Sequence, residues 1–168
     1  MKIIKSVSGE NHNLTQYELT HGFRLGIDTH ADTSCAGRPV RIMEYVGGKK
    51  YSVAPFHGSY EPKTDVGMIN GVVAVDGIDG SGIIIELNNF LDFTDSMEDS
   101  ILVPMQVRCN GFVVDDVPKN LCYHRVSTQS IFRPGDDLKI PIEFNGPIPF
   151  IRARYPLDSD LDNFILIH

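Results

Sequence analysis

The chain is interrupted by turn-forming residues too often to support long helices. Fifteen glycines and ten prolines are spread along 168 residues, and the apolar residues between them fall into short runs. Residues 23–27, Phe-Arg-Leu-Gly-Ile, alternate with Phe23, Leu25 and Ile27 on one face, the period of a half-buried strand. Residues 14–20 alternate more weakly. Runs at 40–46 and 49–56 flank Gly47-Gly48, which predicts a two-residue hairpin turn. A second hairpin is expected between 72–75 and 83–87, through Asp76-Gly77-Ile78-Asp79-Gly80-Ser81-Gly82. Residues 100–108 read as a strand leading into a short helix, and 112–114 as another strand. Further strands fall within 131–155, broken at Pro134-Gly135 and Gly146-Pro147. Residues 156–160 read as a turn or helix start, and 164–167 as a final apolar strand. The expected class is all-β, with about ten strands in a closed or nearly closed barrel.

The formal net charge of −7 argues against nucleic acid as a partner, because a sequence-independent binder needs a basic surface to displace counterions. The basic residues are scattered, and Lys49-Lys50 is their one adjacent pair. The same reasoning argues against an anionic membrane surface. No apolar run approaches the roughly 20 residues that span a bilayer. The opening Met-Lys-Ile-Ile-Lys-Ser has no continuous apolar stretch after its lysines, so no signal peptide is expected. Three cysteines, Cys35, Cys109 and Cys122, without a CxxC spacing, suit small half-buried thiols in a reducing compartment rather than a disulfide framework.

The stretch that carries chemistry is Gly26-Ile27-Asp28-Thr29-His30-Ala31-Asp32-Thr33, an apolar strand running straight into Asp-Thr, small residues and a second aspartate. General acid–base chemistry without a metal or a covalent nucleophile needs a base to polarise water and an acid to protonate the leaving group. Two carboxylates about 3 Å apart cannot both ionise, so they share one proton and supply both roles. A rigid strand-to-loop setting holds such groups in place.

This stretch resembles the active-site loop of aspartic proteases, apolar-apolar-Asp-Thr/Ser-Gly-Ala followed by Asp. Further along, Ile84-Ile85-Glu86-Leu87-Asn88-Asn89-Phe90-Leu91, Ser100-Ile101-Leu102-Val103-Pro104-Met105-Gln106-Val107 and Asn110-Gly111-Phe112-Val113-Val114 are similar to the C-terminal half of copia-type retrotransposon proteases. Asp28-Thr-His-Ala-Asp-Thr33 with Ala36-Gly37 resembles a block of copia-like polyproteins, as do Tyr60-Glu-Pro62, Pro104-Met-Gln106 and Arg154-Tyr-Pro156. The resemblance covers roughly residues 24–168. It implies a retropepsin-like closed barrel with one or two short helices, as a single domain over 1–168. The core would span about 14–118, and a β-rich C-terminal extension about 119–168. It implies catalytic roles for Asp28 and Thr29, and substrate contacts from His30, Ala31 and Asp32. No second Asp-Thr/Ser-Gly occurs, so one aspartate per chain implies a homodimer with its site on the two-fold axis. The substrate would be a polypeptide, with no cofactor. The expected place is the cytoplasm, including the interior of an assembling virus-like particle. A flap could come from Gly47-Gly48 or from 76–82.

Two positions depart from the pattern. His30 stands where retropepsins have glycine, which adds bulk and a third titratable group beside the dyad. Ile101-Leu102-Val103 replaces apolar-apolar-Gly, as in the copia type. The loss of that glycine at position 30 motivates an alternative: a retropepsin-fold module for binding or structure, without catalysis. A weaker alternative is a metal-binding protein, since Asp28, His30 and Asp32 would share a face of an extended chain, with Cys35 nearby. The 76–82 loop superficially suggests a calcium loop but lacks the length and the closing glutamate. His57 or His124 with a cysteine carries no nucleophile signature. The acidic residues from Asp92 to Asp99 read as a solvated loop.

Overall fold

The computed structural model describes residues 2–5, 22–54, 61–123 and 126–162. The strands expected at 14–20 and 164–167, together with His57 and His124, lie outside the described residues. The described part is mostly β, with two short α-helices. In chain order it contains β1 (Lys2–Lys5), β2 (Phe23–Ile27), β3 (Cys35–Ala36), β4 (Arg41–Tyr45), β5 (Tyr51–Val53), β6 (Lys63–Val66), β7 (Met68–Asp76), β8 (Gly82–Asp92) and β9 (Ser100–Leu102). There follow helix α1 (Pro104–Cys109), β10 (Val113–Asp115), a 3₁₀ turn (Lys119–Leu121), β11 (Ser130–Phe132), β12 (Lys139–Pro141), β13 (Glu143–Asn145), β14 (Ile148–Arg154) and helix α2 (Asp158–Asp162).

The main sheet is partly ring-like. Its pairings pass from β8 to β3, β9, β2, β14 and β7, and β7 pairs with β8 again. β1 and β4 add to β8 and β7, and β13 pairs with β14. β10-β11-β12 and β5-β6 form two smaller sheets. The chain beyond residue 119 does not stay outside this arrangement, because β14 lies between β2 and β7 in the main sheet.

Strands β7 and β8 form the long hairpin expected from residues 72–87, with Val75 opposite Ile83 and Asp76 opposite Gly82. Both are buried on both faces. Val73, Val75, Ile83, Ile85 and Leu87 point into the main core with Leu25, Ile27, Ile131, Ile140 and Ile151. The alternate residues Val72, Ala74 and Ile84 pack under Leu161 of α2. Burial on two faces explains why Ile83-Ile84-Ile85 is a continuous apolar run rather than an alternating one.

The hairpin expected at Gly47-Gly48 does not form. β4 pairs with β7 and β5 pairs with β6, so the strands on either side of the glycines are not partners. A tight two-residue turn of the commonest hairpin type needs both central residues at positive φ; Gly47 has φ 63° and Gly48 does not share that conformation. β4 instead pairs along the much longer β7, where Gly71 lets the strands approach: a side chain there would meet Val40 and the Arg41 carbonyl.

Helix α2 is clasped to the sheet by an ion pair. Both guanidinium nitrogens of Arg154 donate to the two oxygens of Asp160, and the Leu157 N–H donates to Oδ2 at 2.7 Å. Asp160 is buried. Burial pushes its carboxyl up, but the Arg154 and Leu157 hydrogen bonds and the Arg154 charge outweigh that, and the net shift is downward. A depressed carboxyl contributes stability that is present above its ordinary value and lost as pH falls through the depressed one. We expect Asp160→Ala to cost about 3 kcal/mol near neutral pH, because it leaves Arg154 and the Leu157 N–H without their partner. In thermal unfolding, the gap between wild type and Asp160→Ala should narrow below about pH 4, where the carboxyl of the unfolded chain takes up its proton. A gap that stays constant down to pH 2 would show that this pair does not carry the effect.

Candidate active site

Strand β9 determines the geometry around Asp28. It runs parallel to β2, with Leu25 opposite Ser100, Gly26 opposite Ile101 and Ile27 opposite Leu102. The ladder continues one step further, as the Asp28 N–H donates to the Leu102 carbonyl at 3.1 Å. On its other side β9 pairs antiparallel with β3, Cys35 opposite Ile101. Residues 28–34 therefore connect two strands that are separated by a third, passing over the end of β9. Leu25 and Ile27 anchor one side of this loop in the core and Ala36 anchors the other. Asp28 is the first residue after the anchored strand, and its side chain is 46% exposed.

The loop is arranged around the Asp28 carboxylate. The His30 N–H donates to Asp28 Oδ1 at 2.8 Å. His30 is absent from the left-handed residues of the chain, so its backbone conformation does not require glycine. Its ring is 85% exposed, with Nδ1 3.6 Å from Asp28 Oδ1 and 3.4 Å from Thr29 Oγ1. Thr29 and Asp32 are exposed and Ala31 is half-buried. Asp28, Thr29 and His30 are thus brought together, while Asp32 stands further along the loop.

The metal-binding alternative finds no support in this geometry. Residues 28–33 form bends rather than an extended strand, so the every-second-residue spacing does not put three side chains on one face. Among the described residues no group of three His, Cys, Asp or Glu side chains could hold a metal ion. Cys35 is buried, its thiol points to the Thr33 carbonyl, and burial pushes it up to about 11.

Three contributors to the loop were not singled out for a role by sequence reasoning. Ser34 is fully buried. Its N–H and hydroxyl both donate to Gln106 Oε1, at 3.1 and 2.6 Å, and its hydroxyl accepts from the Val103 N–H at 2.9 Å. Ser100 is also buried and accepts from the Gly37 N–H at 2.8 Å. A side chain on Gly37 would collide with the Asp99 carbonyl, which gives the Ala36-Gly37 pair a physical reason. Ser100 and Gln106 lie within residues 100–107, but neither residue type announces a buried hydrogen-bond hub.

Strand β14 borders β2 on its other edge, pairing antiparallel with Phe150 opposite Gly26. Ile148, at the start of β14, is 59% exposed. Beside it, at the turn between β13 and β14, Pro118, Leu121, Phe144 and Pro147 line an open groove of about 580 Å³ together with the polar Asn120, Gln129 and Glu143. The loop at 76–82, by contrast, is pinned. Asp79 accepts from the Ser81 N–H and hydroxyl, and the Ile78 N–H donates to the Lys139 carbonyl at 2.9 Å. Such tethering does not suit a flap.

Comparison with family models, with curated proteins and with solved structures finds no match.

Two outcomes are expected from this arrangement. With a thiol at about 11, Cys35 would be thiolate at roughly one part in a thousand at pH 8, while Cys109 is exposed. Peptide mapping after brief iodoacetamide treatment should find Cys109 modified and Cys35 modified only after unfolding. Equal labelling of the two in the folded chain would show that Cys35 is not buried beneath the loop. Gly37→Ala should destabilise the fold by at least about 2 kcal/mol through overpacking against β9's lead-in, measurable by chemical denaturation; a loss under about 0.5 kcal/mol would mean that the two segments are not in contact.

Proposed function

We propose that the chain is an aspartic endopeptidase of the retropepsin-like, copia type, acting as a homodimer on a polyprotein. The observation that carries this reading is the position of Asp28. It ends a core-anchored strand, receives the His30 N–H, and sits half-exposed on a loop over the end of β9. The partly ring-like sheet and the short helix directly after β9 are compatible with a closed barrel of that family.

A single exposed carboxylate does not hydrolyse peptides. Two Asp28 carboxylates on a two-fold axis, sharing one proton, would do so. The ionised one takes a proton from water as the water oxygen bonds to the scissile carbonyl carbon, and the protonated one donates to the carbonyl oxygen. The resulting diol collapses as the protonated carboxyl gives its proton to the amide nitrogen, one diol hydroxyl passes its proton to the other carboxylate, and the C–N bond breaks. Carboxylic acid and amine leave, and the dyad again holds one proton. Thr29 would tie the two loops together, and His30, Ala31 and Asp32 would face the peptide. The reaction calls for no cofactor, and the expected place is the cytoplasm or an assembling particle.

His30 favours the second reading, a dimer of the same fold without catalysis. Its exposed ring is harmless in one chain, but two such rings meet when two loops meet. Cleavage of a precursor-derived protein, measured for wild type and Asp28→Asn from acidic to neutral pH, separates the readings. The protease reading expects cutting by wild type and a loss of at least about 1,000-fold in Asp28→Asn. A folded dimer that never cuts, with or without Asp28, would sink it and leave the binding module.

A further inference from the structure

We propose that Ser34 and Gln106 are positioning residues that hold the Asp28 loop at its working geometry, an inference that takes its catalytic meaning from the protease reading. The loop leaves β2 at Asp28 and reaches β3 at Cys35, and its two ends are fixed in different ways. The entry is held by the parallel ladder up to the Asp28 N–H. The exit has a shorter ladder, since β3 is two residues long, though it is bonded to β8 on one side and β9 on the other. Ser34 reinforces it with four hydrogen bonds. Its N–H and hydroxyl donate to Gln106 Oε1, the hydroxyl accepts from the Val103 N–H, and its carbonyl accepts from the Leu91 N–H at 3.1 Å.

Every polar atom of a fully buried serine is thereby used, and the partners come from three separate places: β8, the residue before α1, and the side chain of α1 itself. Gln106 is the element that makes this a clamp. One amide oxygen receives both donors of the same residue, so a single side chain determines where the loop exit sits relative to β9 and α1. In turn, Gln106 is held by its helix, whose Asn110 side chain donates to the Gln106 carbonyl at 2.8 Å. Buried groups wired this way have two outcomes, fully satisfied and rigid or strongly penalised. The requirement on a carboxylate dyad is of the same kind, because a displacement of about 1 Å costs on the order of 100-fold in rate.

The test uses the full chain with Gln106→Leu, which keeps the bulk and removes the acceptor, and Gln106→Glu, whose carboxylate accepts both bonds again. Ile140→Val, a core change in β12 away from the loop, is the control for general loss of stability. Two readouts are taken: amide exchange at Asp28, His30, Ser34 and Val103, and steady-state cleavage of the precursor-derived protein. Gln106→Leu should speed exchange at these amides at least tenfold and lower kcat about 10- to 100-fold with KM little changed. Gln106→Glu should restore both, and Ile140→Val should move neither. Wild-type exchange and kcat in Gln106→Leu, or an equal fall of kcat in Ile140→Val, would overturn the inference. If wild type cuts nothing, the protease reading fails while the clamp is still decided by exchange. Loosening in Gln106→Leu with recovery in Gln106→Glu upholds it, and unchanged exchange refutes it.

Discussion

The insertion of β9 between β2 and β3 is the constraint on which the rest depends. Three residues, Ser100 to Leu102, are bonded to the strand before Asp28 on one side and to the strand after its loop on the other. Backbone ladders of this kind leave little freedom at their ends, because shifting the register by one residue would turn Leu25 and Ile27 out of the core. The loop between them therefore inherits a fixed span and direction. The core clusters, the Ser34 clamp and the contact between Gly37 and β9's approach all maintain this one insertion. Its consequence is chemical: a carboxylate stands at the end of a rigid strand, with a backbone N–H already directed at it.

Much of this was legible in the sequence. The alternation of Phe23, Leu25 and Ile27 marked β2, and the glycine-rich stretch at 76–82 marked the β7–β8 hairpin. Residues 100–108 read correctly as a strand passing into a short helix. What failed did so where local pattern competes with distant partners. Gly47-Gly48 looks like a hairpin turn, but β4 found a longer partner in β7, and nothing near residue 47 announces that. The return of β14 to lie between β2 and β7 was equally hidden, since an antiparallel pairing more than a hundred residues apart leaves no local trace. Of the candidate site, the loop itself was readable because an apolar strand ending in Asp-Thr is a local signal. Ser34 and Gln106 were not, since a serine in a loop and a glutamine in a helix are ordinary until they are seen to share two hydrogen bonds.

On the protease reading proposed above, His30 is the deciding residue. In one chain its N–H donates to the Asp28 carboxylate without a left-handed conformation and with its ring in solvent. Bulk there matters only where two loops approach. On that reading the same position would separate an active dimer from an inactive one, through how two copies meet rather than through the fold of either.

The claim that two Asp28 loops come together is tested most directly by a distance. A spin label on Asp32→Cys, exposed on the same loop, with Cys109→Ser and Cys122→Ser in the same chain, reports the separation of the two loops by pulsed electron resonance. Carboxylates about 3 Å apart leave little more than the labels themselves between the spins, so a narrow distribution centred within about 20 Å is expected. A dimer whose labels lie beyond about 40 Å, or a chain that stays monomeric at the concentrations where it is folded, would contradict the paired site.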